Sequence, residues 1–263
     1  AGQSFANLSR PADQHAIRVV NVFAVEDRPD RVCEMLVRVA AQLPECHPDL
    51  TPTAVPVGDL KYRTKIPLRS PADDGDAEAT FRRWIWYAAR RDGLHLDEAD
   101  DVFTEPPLVA EAIRTVVAPH LRLNSDQQKE TASHATIERY GSGELILATG
   151  VVPEAMSFIM SGIVVLTADT RDGSRTEAET LEEGSYIGQS TLVRHPTAGS
   201  YYALDEVALV RVDRDAIEKV VQRNPLLLQE FGRSIEERRA TVLRALSDDT
   251  EGVTAVRESE TTG

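Results

Sequence analysis

The sequence predicts an α+β chain in two parts. A ferredoxin-like βαββαβ domain over residues 16–97 comes first, and a β-roll of jelly-roll type with flanking helices follows over 123–246. Strand-like and helix-like segments succeed one another in split βαβ order up to residue 97. From about residue 136 the apolar period changes to two, with a glycine turn closing each short run. Two amphipathic helices end the patterned region.

The strand "AIRVVNVFAV" (16–25) is rich in β-branched residues. "DRPDRVCEMLVRVAAQL" then reads as a helix: Asp27 is placed to cap it, Pro29 suits its first turn, and Val32, Leu36, Val39 and Leu43 share a face. "TAVPV" (53–57) and "LKYRTKIPL" (60–68) form a hairpin around Gly58-Asp59, and the loop "RSPADDGDAE" leads to the helix "ATFRRWIWYAARRDG", ended by Gly93. "LHL" (94–96) supplies the last strand. Residues 97–106 are acidic and proline-ended, as a linker would be; 98–122 read as linker and helix, with Pro119 stopping a helix over 107–118 and Ser125 opening a short polar one.

The β-patterned part offers "TIERYG", "ELILAT", "AMSFIMS", "IVVLTAD", "TEAETLEE", "SYYALD" and "VALVRVD". Turns fall at Gly141-Ser142-Gly143, Gly150, Gly162, Asp172-Gly173 and Gly184. "RDAIEKVVQRNP" and "LLLQEFGRSIEERRATVLRAL" are helical, the second with a stripe of Leu228, Phe231, Ile235, Val242 and Leu246. From Ser247 periodicity vanishes, so 247–263 reads as a disordered acidic tail.

Composition narrows the function. The chain has 263 residues, 27% of them charged and 41% apolar, an ordinary globular balance. A net charge of −14 argues against a nucleic-acid partner, whose binding surface is basic. The two cysteines, Cys33 and Cys46, form neither a CxxC pair nor a disulfide framework, which suits a reducing compartment. No run of about 18 apolar residues is present. The first residue is Ala1, so the start is expected to be a cut within a longer protein.

The chemistry concentrates in "GSYIGQSTLVRHPTAGSYYAL" (184–204), where a glycine-opened turn, a hydroxyl-rich stretch and Pro196 sit between strand segments. With "RYGSGELILATG", "FIMSGIVVL" and two closing helices, this succession resembles the cyclic-nucleotide-binding domain family over about residues 107–246. The resemblance implies a phosphate-binding cassette: backbone N–H groups at a short helix meet the cyclic phosphate, an arginine pairs with it, a glutamate takes the ribose hydroxyl, and the last helix closes over the base.

Laid onto this chain, Gly188 matches the cassette glycine and the glutamate position falls on Gln189. Ser190 continues the turn, the arginine position falls on Thr197, and Ala198, Gly199 and Ser200 follow in the Ala-Ala-Thr part. Both charged contacts are missing. Charge-assisted bonds contribute about 1.5–3 kcal/mol against about 1 for neutral ones, so the change implies roughly tenfold weaker binding or more. Arg194, three residues before Thr197, is the candidate replacement. Two readings stand: retained sensing of a cyclic nucleotide such as cAMP or of an altered ligand, or a degenerate domain kept for packing and subunit contacts.

Residues 3–97 resemble the cytoplasmic vestibule of small-conductance mechanosensitive channels. Asn7, Ser9, Arg10 and Pro11 match the signature at the end of the middle β domain, assigned to residues 1–15; Arg28-Pro29-Asp30 matches a helix start; Gly93-Leu94-His95-Leu96 matches the last strand, with Asp97 replacing a proline. Together the two resemblances imply the cyclic-nucleotide-gated subgroup of those channels. They imply a membrane homo-heptamer, anchored through an upstream segment, with this part on the cytoplasmic side of the inner membrane. The alternative is a soluble cyclic-nucleotide-responsive regulator or scaffold. A transcription regulator of catabolite-activator type would need a helix-turn-helix where the acidic tail stands.

Other motifs point elsewhere only weakly. The six histidines are scattered singly and read as surface or satisfied residues, so no metal site is expected. Asp73, Asp74 and Asp76 lack the frame of a calcium loop. Trp84 and Trp86 cannot share a helix face, so one is expected in the core and the other at a contact. No P-loop, nucleophile elbow or acid pair occurs, and no cofactor or enzymatic activity is expected.

Overall fold

The computed structural model describes residues 15–100, 103–170 and 175–260, with side chains to residue 247. The signature around Asn7 to Pro11, the segment 1–14 and the Asp172-Gly173 turn lie outside the described residues. The chain divides into two compact units between Phe103 and Thr104.

In the first unit β1 (Ala16–Val22) leads to α1 (Pro29–Ala41), the hairpin β2 (Thr53–Gly58) and β3 (Lys61–Pro67), and α2 (Asp74–Asp92). The sheet is three-stranded and antiparallel in order β1-β3-β2, so the hairpin places β3 between β1 and β2. Alternation explains the layering: Val19 on β1 and Tyr62, Thr64 and Ile66 on β3 are buried beneath α1 and α2, while the intervening residues are exposed. The expected fourth strand is reduced to one bridge, Leu96 opposite Phe23. Positive φ at Asp97 and Glu98 turns the backbone away before a ladder can form.

Two capping expectations change. Asp27 does not cap α1, whose N-cap is Arg28 with no side-chain bond; its buried carboxylate accepts from Ala24 N, His95 N and His95 Nδ1 instead. Helix α2 begins inside the presumed loop, because Asp74 and Asp76 suit a first helical turn; His15 Nε2 meets Asp74 there. It ends at Gly93 in the left-handed region, φ 66°. Trp84 is core, whereas Trp86 is exposed beneath the Arg90 guanidinium, 3.8 Å from its ring centre, and beside Tyr87 and Phe103.

The second unit opens with α3 (Pro106–Ala112), a π-helical turn (Ile113–Val117) and α4 (Ala118–Leu121). Pro119 therefore does not stop the helix. The widened turn just before it accommodates a residue that has no amide to donate and a ring that clashes with an ordinary turn. Helix α5 (Ser125–Ala132) follows, capped by Asn124 in a reciprocal box with Gln127.

Strands β4 (Ala135–Tyr140), β5 (Leu145–Leu147), β6 (Ala155–Ser161), β7 (Val164–Asp169), β8 (Arg175–Leu181), β9 (Tyr186–Ile187), β10 (Ser200–Ala203) and β11 (Val207–Asp213) make two four-stranded sheets, in orders β5-β10-β7-β8 and β4-β11-β6-β9. Ile159, Leu166, Leu181, Tyr201 and Leu209 meet between them in one core, so the unit is a β-sandwich. The two-residue β9, paired with β6, is too short for a periodicity argument to find.

Helix α6 (Arg214–Arg223) packs on β6 and β11, and α7 (Pro225–Glu260) packs on β7 and β8. Leu227 is buried and Leu228 exposed, the reverse of the expected stripe, while Phe231 and Val242 face inward as expected. The backbone of α7 runs through most of the segment expected to be a disordered tail, since no proline follows Pro225 to interrupt its ladder. No described helix is long and apolar enough to cross a membrane.

Candidate functional site

Between the cassette segment and α7 lies a cavity of about 480 Å³, within the range of small-molecule sites. Its wall on the sandwich side is the stretch predicted from sequence. Gly188 holds φ +77°, and a Cβ there would stand 2.6 Å from Ala155 O, so only glycine fits the turn. A 3₁₀ turn, Gln189–Val193, follows at once and leaves its first amides without an acceptor inside the turn. The turn is tied down from behind: Thr191 Oγ1 donates to Pro153 O at 2.8 Å, while Arg214 donates to Thr191 Oγ1 and to Pro153 O.

Gly188, Gln189, Ser190, Thr197, Ala198 and Gly199 all line the cavity. Ser190 Oγ is buried with no hydrogen-bond partner. Thr197 cannot take over the missing arginine's work even as a donor, because its hydroxyl already donates to Ala148 O at 2.7 Å. Its backbone is pinned too, with Thr197 N donating to Val151 O and Gly150 N to Thr197 O. A Cβ on Gly199 would stand 2.3 Å from Thr167 O, so the wall cannot thicken there.

Two expected site residues lie elsewhere. The Ser200 hydroxyl donates to Asp169 Oδ2 at 2.8 Å and accepts from Thr149 N, and its carbonyl accepts from Thr167 Oγ1, so it joins strands behind the wall. Arg194 has a left-handed backbone, a solvent-exposed side chain and Glu218 at 3.7 Å, and it does not line the cavity. It is no replacement for the cassette arginine. The left-handed cap directs it toward α6 instead.

The arginines at the cavity, Arg238 and Arg239, come from α7. Arg238 is largely buried and lines the cavity; its Nη1 donates to Gln189 Oε1 at 2.9 Å, and its Nε lies 3.5 Å from Glu179 Oε2. Its guanidinium lies 5.4 Å from the Tyr186 ring centre. Burial pushes the Tyr201 phenol up, and the neighbouring Arg238, which hydrogen-bonds it, opposes that shift. Gln189 Nε2 in turn donates to Ser234 Oγ at 3.3 Å, one helical turn before Arg238. The family's glutamate position thus ties α7 to the cassette twice, through an acceptor and a donor that a carboxylate could not combine.

Sequence reasoning missed Arg238, although a signal existed. It occupies the stripe position between Ile235 and Val242, where a charge interrupts an apolar face. His120 was also passed over. It sits against Phe158 and Tyr186, and burial lowers its pKa.

The chain is similar over 65% of its length to lysophospholipase nte1 of Neurospora crassa, at 25% identity, and over 45% to lysophospholipase NTE1 of Chaetomium globosum, at 24%. It spans only about a tenth of those proteins, 11% and 8%. Among solved structures, the guanosine-bound regulatory subunit of a cAMP-independent protein kinase A from Trypanosoma cruzi aligns at 18% identity and TM-score 0.45, covering 73% of this chain and 61% of that one. The sensor domain of the regulator DNR from Pseudomonas aeruginosa aligns at 17% and 0.43, covering 49% and 89%. Residues 137–224 match the family model described as cyclic nucleotide-binding domain, and this chain therefore carries a cyclic nucleotide-binding domain.

Proposed function

We propose that the second unit is a ligand-responsive regulatory domain whose ligand occupies the cavity beneath α7. One observation carries the reading: six of the eight residues expected at a nucleotide cassette line one cavity, and the last helix closes its other side. A ligand there works by differential affinity. It stabilises whichever position of α7 completes its contacts, and a partner attached to that helix experiences the change.

The ligand class follows from the wall. Without an arginine at Thr197 the cyclic phosphate keeps only neutral donors on the cassette side. Cyclic nucleotides then bind weakly, and ligands with little or no charge at that end compete well. Calorimetry with cAMP and cGMP on the full chain tests this. Weak binding that Thr197→Arg strengthens about tenfold is the expected result. No heat from either variant at high protein and ligand concentrations sinks the sensing reading and leaves a domain kept for packing.

A finer proposal, that the regulated element is a membrane pore of a homo-heptamer, draws on the channel-like sequence of residues 3–97 and on the insertion of β3 between β1 and β2. Its test is the gene sequence encoding residues upstream of Ala1. Apolar spans there support a channel; without them the regulator or scaffold stands alone.

A further inference from the structure

The sheet of the first unit has one face beneath α1 and α2 and another that, among the described residues, no element of that unit covers. Cross-strand register places Arg18 opposite Lys65 and Lys65 opposite Thr53, then Val20 opposite Arg63 and Arg63 opposite Val55, then Val22 opposite Lys61. Arg18, Lys61, Arg63 and Lys65 are all exposed, as are Val20 and Val55. None of these four cations has an ion pair or side-chain hydrogen bond among the described residues. No acidic residue occupies these positions, in a chain with 43 acidic residues against 29 basic ones.

That concentration is unfavourable to the fold. Like charges directly opposite on neighbouring strands destabilise a sheet, and Arg18 faces Lys65 in that way. The neighbouring row alternates valine, arginine, valine, so each exposed apolar side chain adjoins a cation.

We propose that this face is a docking surface for a short acidic protein segment with interspersed apolar residues. Charge complementarity selects an acidic partner, and the Val20 and Val55 flanks of Arg63 require apolar groups in it as well. The face spans roughly 10 Å across three strands and about 14 Å along them. An extended polyanion or a bilayer would overrun it onto a chain with net charge −14. The register positions also offer no aromatic ring on which a base could stack, which disfavours single-stranded RNA.

The test is fluorescence anisotropy of the full chain with labelled probes at low and physiological salt. The probes are a short peptide of alternating Glu and Val, an all-Glu peptide of equal charge, single-stranded poly-U, and phosphatidylserine vesicles. The expected result is preferential binding of the alternating peptide, reduced at least tenfold by Arg63→Glu and by Lys65→Glu. Lys65→Glu must also leave the urea midpoint unchanged or raise it, because it relieves the repulsion with Arg18 and so separates lost binding from lost folding. The proposal is overturned by equal binding of the two variants and the parent, by an all-Glu peptide binding as well as the alternating one, by poly-U or vesicles binding in preference, or by no peptide binding.

Discussion

Arg238→Met removes the guanidinium from the cavity while keeping most of the stem that packs along α7. Four interactions go with it, one of them the hydrogen bond to the buried Tyr201 phenol. The bond to Gln189 Oε1, 2.9 Å long, is charge-assisted and contributes about 1.5–3 kcal/mol. The contact with Glu179 at 3.5 Å involves a partly exposed carboxylate, which limits it to about 1 kcal/mol or less. The approach to the Tyr186 face at 5.4 Å adds roughly 0.5–1 kcal/mol. Loss of a largely desolvated cation offsets part of that sum, so the net destabilisation is about 2–3 kcal/mol. With a urea m-value near 2 kcal/mol/M for a domain of this size, the midpoint falls by about 1 M. The assay separates the units, because both tryptophans, Trp84 and Trp86, belong to the first. Far-UV circular dichroism should show the earlier transition while tryptophan emission keeps its midpoint. A double-mutant cycle with Gln189→Ala should return a coupling above about 1 kcal/mol. An unchanged circular-dichroism midpoint, or a coupling near zero, refutes the claim that Arg238 ties the helix to the cassette.

Further outcomes follow from single sites. Gly188→Ala meets both a positive φ and Ala155 O, 2.6 Å from the new Cβ, so it should cost about 1–3 kcal/mol in thermal unfolding and abolish any nucleotide binding. His95 is raised above its ordinary 6.5 by its bond to Asp27, with Glu26 and Asp100 adding to the effect. Its contribution is full below that pH and is lost as pH rises through the folded value, and His95→Gln should flatten that slope in the tryptophan-reported transition. His120 is lowered from 6.5 by burial, which outweighs its backbone bond to Gly184. Its unfolded form binds the extra proton, so stability is full above 6.5 and declines as pH falls, and His120→Phe should remove that decline from the circular-dichroism transition.

Most strands and helices were legible because a half-buried strand must alternate and a packed helix must carry a stripe. What escaped has local causes. The last strand of the first unit shrank to the Phe23–Leu96 bridge because Asp97 and Glu98 take left-handed backbone, which no apolar period records. Pro119 reads as a stop, yet the π turn before it absorbs the ring. Leu227 rather than Leu228 faces the core because residues three and four before Phe231 are equally plausible stripe members, and only packing decides between them. In the site, six of the eight expected residues line the cavity because the family resemblance supplied their positions; turn chemistry alone singles out only the glycine and the proline. Arg194 was misplaced because nearness in sequence says nothing about the direction a loop side chain takes after a left-handed cap.

The two lost charges and the interrupted stripe on α7 become one fact when Gln189 is considered as an amide. A carboxylate at that position could only accept, and would hold Arg238 while leaving the Ser234 hydroxyl to supply its own proton. The amide accepts from Arg238 and donates to Ser234, two residues a single turn apart on the same helix face. It thereby fixes the rotation of α7 as well as its distance from the cassette. A ligand hydroxyl that turns Gln189 away from α7 breaks these ties, and in that case binding and helix release draw on the same two hydrogen bonds. The coupling between cavity and helix is then set by the difference between ligand–amide and helix–amide contacts, each about 1–3 kcal/mol. That difference is small enough to be tipped by a single substitution at residue 189, 234 or 238.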